Sequence, residues 1–342
     1  MKTRRSALAA LTAATFLLTL SACGSSGGAS EQASDQASDQ ASGQAVKIAG
    51  ISILTGDPYF VSMKCGAQDA AVDLDVSLLW DGATSGDTAP QAAILSAMEL
   101  QDPDAYVFTP FSQDAFIADV KRLMGEGSPV ILADATMAED VFYKGFQSDN
   151  DSAGQQVADF LVSATEGEGS VAIVAFGPGN PIDEARYEGL IEKVATGAPD
   201  VKVLDPQYAK GSSSDAAKVV SGLIQANPDL KVVYATNGPQ ATGAVSAIRA
   251  AGLTGSIKVV AYAGEAEQIQ ALRAGDVDAL LAQSPYLIGY ESVQAAVEYV
   301  REHPGKEAVL PTDPPYGFTP TLLITLDNVD SDEAKPFLNK GC

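Results

Sequence analysis

Nine short runs of β-branched and apolar residues recur along the chain, most of them beginning about 25 to 30 residues apart, and that rhythm leaves few folds open. The runs are Val46–Leu54, Val76–Trp80, Ala105–Thr109, Val130–Ala133, Val171–Phe176, Val201–Leu204, Lys231–Ala235, Lys258–Tyr262 and Ala279–Ala282. Between them lie Ala-rich amphipathic stretches, among them Phe60–Val72, Ala89–Leu100, Asp114–Met124, Asp183–Ala195, Asp215–Ala226 and Pro239–Ala251. A strand with no polar alternation has no face to offer water, so it must be covered on both sides, and intervening helices cover a parallel sheet in that way. The expected fold class is therefore α/β. The runs fall into two similar halves, 46–133 and 171–282, with a change of character around Ser148-Asp149-Asn150-Asp151, which predicts two doubly wound parallel-sheet lobes.

In doubly wound sheets ligands sit beyond the carboxyl ends of the strands, so the loops after the runs are where function is to be sought. The first run is followed by Thr55-Gly56-Asp57-Pro58-Tyr59-Phe60, the fourth by Asp134, the seventh by Thr236-Asn237-Gly238 and the ninth by Gln283-Ser284-Pro285. Aromatic faces beside amides and carboxylates suit a hydroxyl-rich ring: the aromatic covers its C–H face and the planar polar groups pair with its hydroxyls. Each residue also has a structural reading. Asp57 and Pro58 can start a helix that Tyr59 and Phe60 staple to the core, Asn237 can be turn chemistry before Gly238, and Asp134 can be a cap. Their common place at one end of consecutive strands selects Asp57, Tyr59, Phe60, Asp134, Asn237 and Gln283 as candidate ligand-binding residues for a small polar molecule. No catalytic residue, metal site or cofactor is expected.

The amino terminus reads as an address. Lys2, Arg4 and Arg5 precede an apolar run from Ala7 to Leu20, followed by small residues up to Cys23. That is an export signal, and its 14-residue apolar run falls short of the roughly 20 residues that a lasting transmembrane helix needs. Leu20-Ser21-Ala22-Cys23 resembles the bacterial lipobox, in which the cysteine thiol becomes a diacylglyceryl thioether and the chain is cut just before it. Residues 1–22 are then the signal peptide and Cys23 the lipidated amino terminus, so that the protein is anchored at the outer face of the cell membrane without spanning it. Plain cleavage with Cys23 left as a thiol is the other reading. Residues 24 to 45, GSSGGASEQASDQASDQASGQA, carry no aromatic or large aliphatic side chain; such a segment is a disordered tether, about 25 Å long on root-mean-square average. Export also places Cys65 and Cys342 where a disulfide between them can persist, and that pairing is expected over two free thiols.

Composition and motifs narrow the function. With 44 acidic residues against 21 basic ones the net charge is −23, the wrong sign for a nucleic-acid or anionic-lipid binder. The lone histidine, His303, sits in Arg301-Glu302-His303-Pro304-Gly305, where a helix ends; a Ser-His-Asp device or a multi-histidine metal site has no basis. Gly177-Pro178-Gly179-Asn180-Pro181 lacks the phosphate-loop pattern and loses amide donors to its prolines, so it reads as a rim loop. Ser212-Ser213-Ser214-Asp215 lacks nucleophile-elbow glycines and reads as a helix cap, near Tyr208 as a candidate for the cleft wall. Trp80 reads as core or rim, and Asp149–Asp151 as a solvated crossover without calcium-loop spacing.

These residues resemble the type 1 periplasmic binding proteins of the ribose- and galactose-binding group, from about Val46 to Asp327. Asp57-Pro58-Tyr59-Phe60 is similar to that family's Asn/Asp-Pro-aromatic-aromatic motif, whose aromatics sandwich a sugar. Pro129–Asp134 resembles the strand delivering a ligand-binding aspartate, Ser148-Asp149-Asn150 the first interdomain crossover, Tyr234–Asn237 the ligand-binding asparagine segment, and Leu281-Ala282-Gln283 the glutamine at the second crossover. A cysteine in the first helix with a cysteine at the chain end resembles a lipoprotein subgroup. The resemblance implies lobes joined by a three-strand hinge that closes over a sugar or polyol and presents it to the permease subunits of an ABC importer, as a monomer and not an enzyme. The implied division is 46–149 plus 285–312 for the amino-terminal lobe, 150–284 plus 313–330 for the carboxy-terminal lobe, and a tail at 331–342 tied back by the disulfide. Pro314-Pro315-Tyr316-Gly317-Phe318 resembles the approach to the third crossing. Departures remain. Ala135 follows Asp134 where the family often has Arg, a second family arginine maps near Glu184, and Ala263 replaces an aspartate, with Glu265 close by. A cleft so depleted of positive charge, holding Asp57, Asp134 and Glu184, would also suit a cationic amine over aromatic rings. A ligand-sensing subunit for a membrane receptor is a further alternative, and an α/β enzyme the weakest.

Overall fold

The computed structural model describes residues 45–85, 87–178, 181–308, 313–338 and 342. The segment read as a signal peptide, Cys23 and all but the last residue of the expected tether lie outside the described residues, as do Gly179 and Asn180 of the expected rim loop. The elements follow the expected alternation. In chain order they are β1 (Lys47–Leu54), α1 (Pro58–Asp73), β2 (Ser77–Ala83), α2 (Thr88–Glu99), β3 (Ala105–Phe108), α3 (Ile117–Gly125), β4 (Val130–Ala133), β5 (Lys144–Ser148), α4 (Asn150–Thr165), β6 (Gly169–Ala175), α5 (Pro181–Gly197), β7 (Val201–Val203), β8 (Gln207–Tyr208), α6 (Ser213–Ala226), β9 (Leu230–Ala235), α7 (Gly238–Ala250), β10 (Lys258–Tyr262), α8 (Ala266–Ala274), β11 (Ala279–Ala282), α9 (Pro285–Glu302), β12 (Tyr316–Thr319) and β13 (Leu322–Ile324).

The strands form two sheets of matching topology. The first has the order β12-β5-β4-β3-β1-β2 and the second β13-β11-β10-β9-β6-β7, with β8 paired to β6. Apart from β13, which runs antiparallel to β11, the pairings between named strands are parallel. Both faces of each sheet are covered, because neighbouring residues of one strand enter different cores. In β4, Ile131 and Ala133 pack with α1 and α9 residues such as Met63 and Ile288, while Val130 and Leu132 pack with Val120 and Leu123 of α3. In β6, Ala172 and Val174 enter one core and Val171, Ile173 and Ala175 the other. A fully buried aliphatic side chain contributes about 1.5–3 kcal/mol, so a four-residue strand reading Val-Ile-Leu-Ala can be held by burial on both sides.

Helix α1, which carries two candidate site residues, has its position set at two points. Asp57 Oδ1 accepts from Tyr59 N at 2.9 Å and proline occupies the first turn, so the cap expected from the sequence starts the helix. Farther along, α1 crosses α9 so closely that side chains are excluded. A Cβ on Gly66 would lie 1.8 Å from the Tyr286 carbonyl oxygen, and one on Gly289 would lie 2.0 Å from that of Met63.

The chain passes between the lobes at β5 to α4, at β11 to α9 and between β12 and β13. The third crossing comes later than the expected boundary at 312/313. Tyr316–Thr319 pairs with β5 in the first sheet, in the register Tyr316 opposite Gly145 and Gly317 opposite Phe146. Each glycine leaves room for the aromatic ring across from it, since a Cβ would meet that ring within 2.6 Å. The crossing therefore falls at Pro320-Thr321. Near the hinge, Gln283 Nε2 donates to Ser148 Oγ at 3.1 Å, tying the second crossing to the first. The Cα atoms of Cys65 and Cys342 stand 5.3 Å apart, within the span of a disulfide.

Candidate functional site

The carboxyl ends of β1 and β4 bring two candidates together in the first lobe. Tyr59 Oη donates to Asp134 Oδ2 at 2.8 Å. Asp134 closes β4 in the left-handed region, with φ of 49°, a conformation aspartate tolerates better than most residues and one that concentrates at functional sites. Burial raises the Asp134 carboxyl above the usual range, although the Tyr59 hydroxyl and the opposing Arg186 charge work against that rise. Burial likewise raises the Tyr59 hydroxyl, and Asp134 adds to the effect. Both side chains nevertheless keep partial exposure.

The second lobe answers with a cation that the sequence reading missed. Arg186 lies one turn into α5, whose amino-terminal end is held to the end of β6 by Phe176 N donating to Asp183 Oδ2 at 2.7 Å. Its guanidinium carbon stands 3.9 Å over the ring of Tyr262, at the end of β10, and Nη1 donates to the Thr236 carbonyl at 2.9 Å. Burial works against the Arg186 charge, but Tyr262, Asp134, Tyr234 and Asp183 outweigh it and hold the guanidinium cationic. Nε is buried and finds no acceptor among the described residues. Tyr262 is pushed up to about 12, mainly by burial, and its hydroxyl donates to Asn150 Oδ1 at 2.8 Å. The expectation of a cleft without positive charge is thus corrected. Arg186, two residues beyond the Glu184 position, supplies the cation.

The remaining candidates sit around this pair. Asp57, besides capping α1, is close enough to Glu265 of the second lobe to add to its rise, the larger part of which comes from burial. Glu265 Oε2 would lie 3.4 Å from a Cβ on Gly238, and so borders the residue after Asn237. Asn237 caps α7, its Oδ1 accepting from Gln240 N at 3.3 Å. Phe60 packs edge-on to Tyr59 with ring centroids 5.4 Å apart, and Gln283 is engaged at the hinge. The structure therefore joins Tyr59 to Asp134 in the first lobe and Arg186 to Tyr262 and Asn150 through the second, with Asp134 and Arg186 coupled by charge, as Asp57 is to Glu265, whereas Phe60, Asn237 and Gln283 are held in ring-packing, cap and hinge contacts. Tyr262 was legible by the same strand-end rule that selected Asp134; for Arg186, inside a helix, the only signal was its place in the first turns after a strand.

Residues elsewhere take structural places. The ring of His303 stacks on Tyr299 at 4.2 Å, Ser212 caps α6 by accepting from Asp215 N at 3.2 Å, and Trp80 packs over Gly50, where a Cβ would come within 1.9 Å of its ring.

Residues 48–307 match the profile of the periplasmic binding protein domain. The chain belongs to that family. This periplasmic binding protein is 28% identical over 290 residues to the D-allose-binding periplasmic protein of Escherichia coli, covering 82% of this chain and 92% of that one. Among solved structures it resembles an Agrobacterium radiobacter carbohydrate transporter solute-binding protein in complex with D-arabinose, at a TM-score of 0.74 and 27% identity, covering 87% of this chain and all of the other. It also resembles an Agrobacterium vitis ABC transporter solute-binding protein bound with α-D-tagatopyranose, at a TM-score of 0.75 and 26% identity, over 86% and 99% of the two chains.

Proposed function

We propose that this protein captures a sugar or polyol in the gap between its lobes and delivers it to the permease of an ABC importer, without transforming it chemically. The reading is carried by one observation: Tyr59 and Asp134 of the first lobe face Arg186 and Tyr262 of the second, and the Arg186 Nε finds no acceptor among the described residues. A buried donor without a partner is costly, and a ligand oxygen would satisfy it. Carboxylate and guanidinium together offer acceptors and donors to vicinal hydroxyls, with tyrosine faces beside them for the C–H side of the ring. Arg186 weighs against a cationic amine, because it already covers the Tyr262 ring and sets a like charge there. The relatives that carry allose, arabinose or tagatose in their names support the same class. The same proposal includes lipidation at Cys23, anchorage at the outer membrane face, a monomeric state, and oxidation of Cys65 with Cys342.

Calorimetry against aldoses, ketoses, polyols and amines tests it. At least one sugar or polyol is expected to bind one to one and to be recovered unchanged after long incubation; preference for an amine, or turnover of the bound sugar, contradicts it. Affinity should also depend on pH. Asp134 and Glu265 both titrate above their usual range, with Tyr59 and Arg186 facing the first and Asp57 and Arg186 the second. Protonation removes hydrogen-bond acceptors, so affinity for the identified sugar should fall about tenfold as pH drops through these raised values. A flat titration across the acid range would remove these carboxylates from the contact set.

A further inference from the structure

The chain crosses from lobe to lobe in the segments already described, yet its carboxyl-terminal end adds a connection of a different kind. After β13 the tail belongs to the second lobe by packing. Val329 and Ala334 are buried in a core of the second sheet, with Phe337 and Leu338 packed against it. Arg273 of α8 holds Asp330 at 2.5 Å. Four residues beyond Leu338, Cys342 stands beside Cys65, in the middle of α1 and therefore in the first lobe. The tail passes along the hinge on its way, with Ser284 Oγ donating to the Pro336 carbonyl at 3.5 Å beside the second crossing.

We propose that the carboxyl-terminal tail is a strap: bonded through Cys342 to Cys65, it forms a fourth covalent tie between the lobes and limits how far the cleft opens. The strap rests on that cysteine pairing and is independent of which ligand the cleft takes. Its reach follows from chain geometry. Four residues span at most about 14 Å, and a disulfide adds at most about 7 Å between Cα atoms, so Cys65 stays within roughly 20 Å of Leu338 in every hinge state. A cavity of about 700 Å³, lined by Gln68, Tyr286, Leu287, Pro336 and Leu338 among others, lies between the tail and the α1–α9 pair. The tie to the first lobe is thus made chiefly by the bond at Cys342 and only in part by packing. Removing widely open states from the unliganded ensemble raises the fraction poised to close, which lowers the free-energy cost of capture.

Single-molecule fluorescence on the full mature chain, without sugar, tests the strap. Dyes introduced by non-cysteine chemistry at Asp114 and Gln207, exposed positions of the first and second lobes, report the opening. Three samples are compared below the unfolding temperature: untreated protein, protein reduced with a phosphine, and Cys342→Ser. Alkylation mapped by mass spectrometry should find Cys65 and Cys342 blocked before reduction and free afterwards. The distance distribution should shift to longer values and broaden in both the reduced protein and the variant, with unchanged circular dichroism. A bond that only stabilises the fold would leave that distribution where it is. Identical distributions in all three samples, or free thiols at both cysteines before reduction, overturn the proposal.

Discussion

Replacing Arg186 with methionine is expected to weaken sugar binding about 10²–10³-fold while leaving the protein folded. The guanidinium meets Tyr262 at 3.9 Å, binds the Thr236 carbonyl at 2.9 Å and opposes the Asp134 charge. Methionine fills similar volume over the ring but supplies no donor, so the ligand loses its charged hydrogen bond and Asp134 loses the cation that offsets its burial. Removing one side of a buried, hydrogen-bonded charge contact, as the ligand and Arg186 would make, costs about 2–5 kcal/mol. Arg186→Lys should recover only part of the loss, because an ammonium keeps the charge but neither the planar fork nor the stacking on tyrosine. Calorimetry with the tightest sugar, alongside circular dichroism, decides the matter. A methionine variant that binds within threefold of the parent would remove Arg186 from the site.

The second large effect is on stability. Gly289→Val should cost about 3 kcal/mol or more, because its Cβ would sit 2.0 Å from a main-chain oxygen of α1, which cannot rotate away as a side chain could. The two helices would have to separate, and α1 carries Tyr59, Phe60 and Cys65. Gly66→Val, with 1.8 Å to the Tyr286 oxygen, should behave alike. Gly222→Ala in α6 is the control: nothing lies within 4 Å of its Cβ position, and alanine there should stabilise by about 0.5–1 kcal/mol. Urea unfolding measures all three. Valine variants within 1 kcal/mol of the parent would mean that the α1–α9 crossing is looser than described.

Much of the architecture could be read from the sequence because burial on both faces writes itself as unbroken apolar runs; β4, reading Val-Ile-Leu-Ala, is the plainest case. Four of the named strands escaped, β8 and β13 because they are only two and three residues long, and β5 and β12 because each depends on its partner for apolar surface. β5 reads Lys-Gly-Phe-Gln-Ser and β12 reads Tyr-Gly-Phe-Thr, each with a glycine that accepts the other's ring, and neither looks like a strand without the register. That is also why the third crossing was placed too early. At the site, Tyr59 and Asp134 were legible from position, since both follow strands. Arg186 was not, because a helical position entering the gap depends on where the preceding loop sets the first turn of α5, and the spacing of Pro178 and Pro181 does not fix that.

A crystal structure of the protein with the tightest-binding sugar tests the assignment most directly. Ring density between Tyr59 and Asp134 on one side and Arg186 and Tyr262 on the other, with a sugar oxygen within hydrogen-bond distance of Arg186 Nε, is the expected result. Sugar bound on an outer surface, or a gap filled only by solvent at saturating sugar, would contradict it.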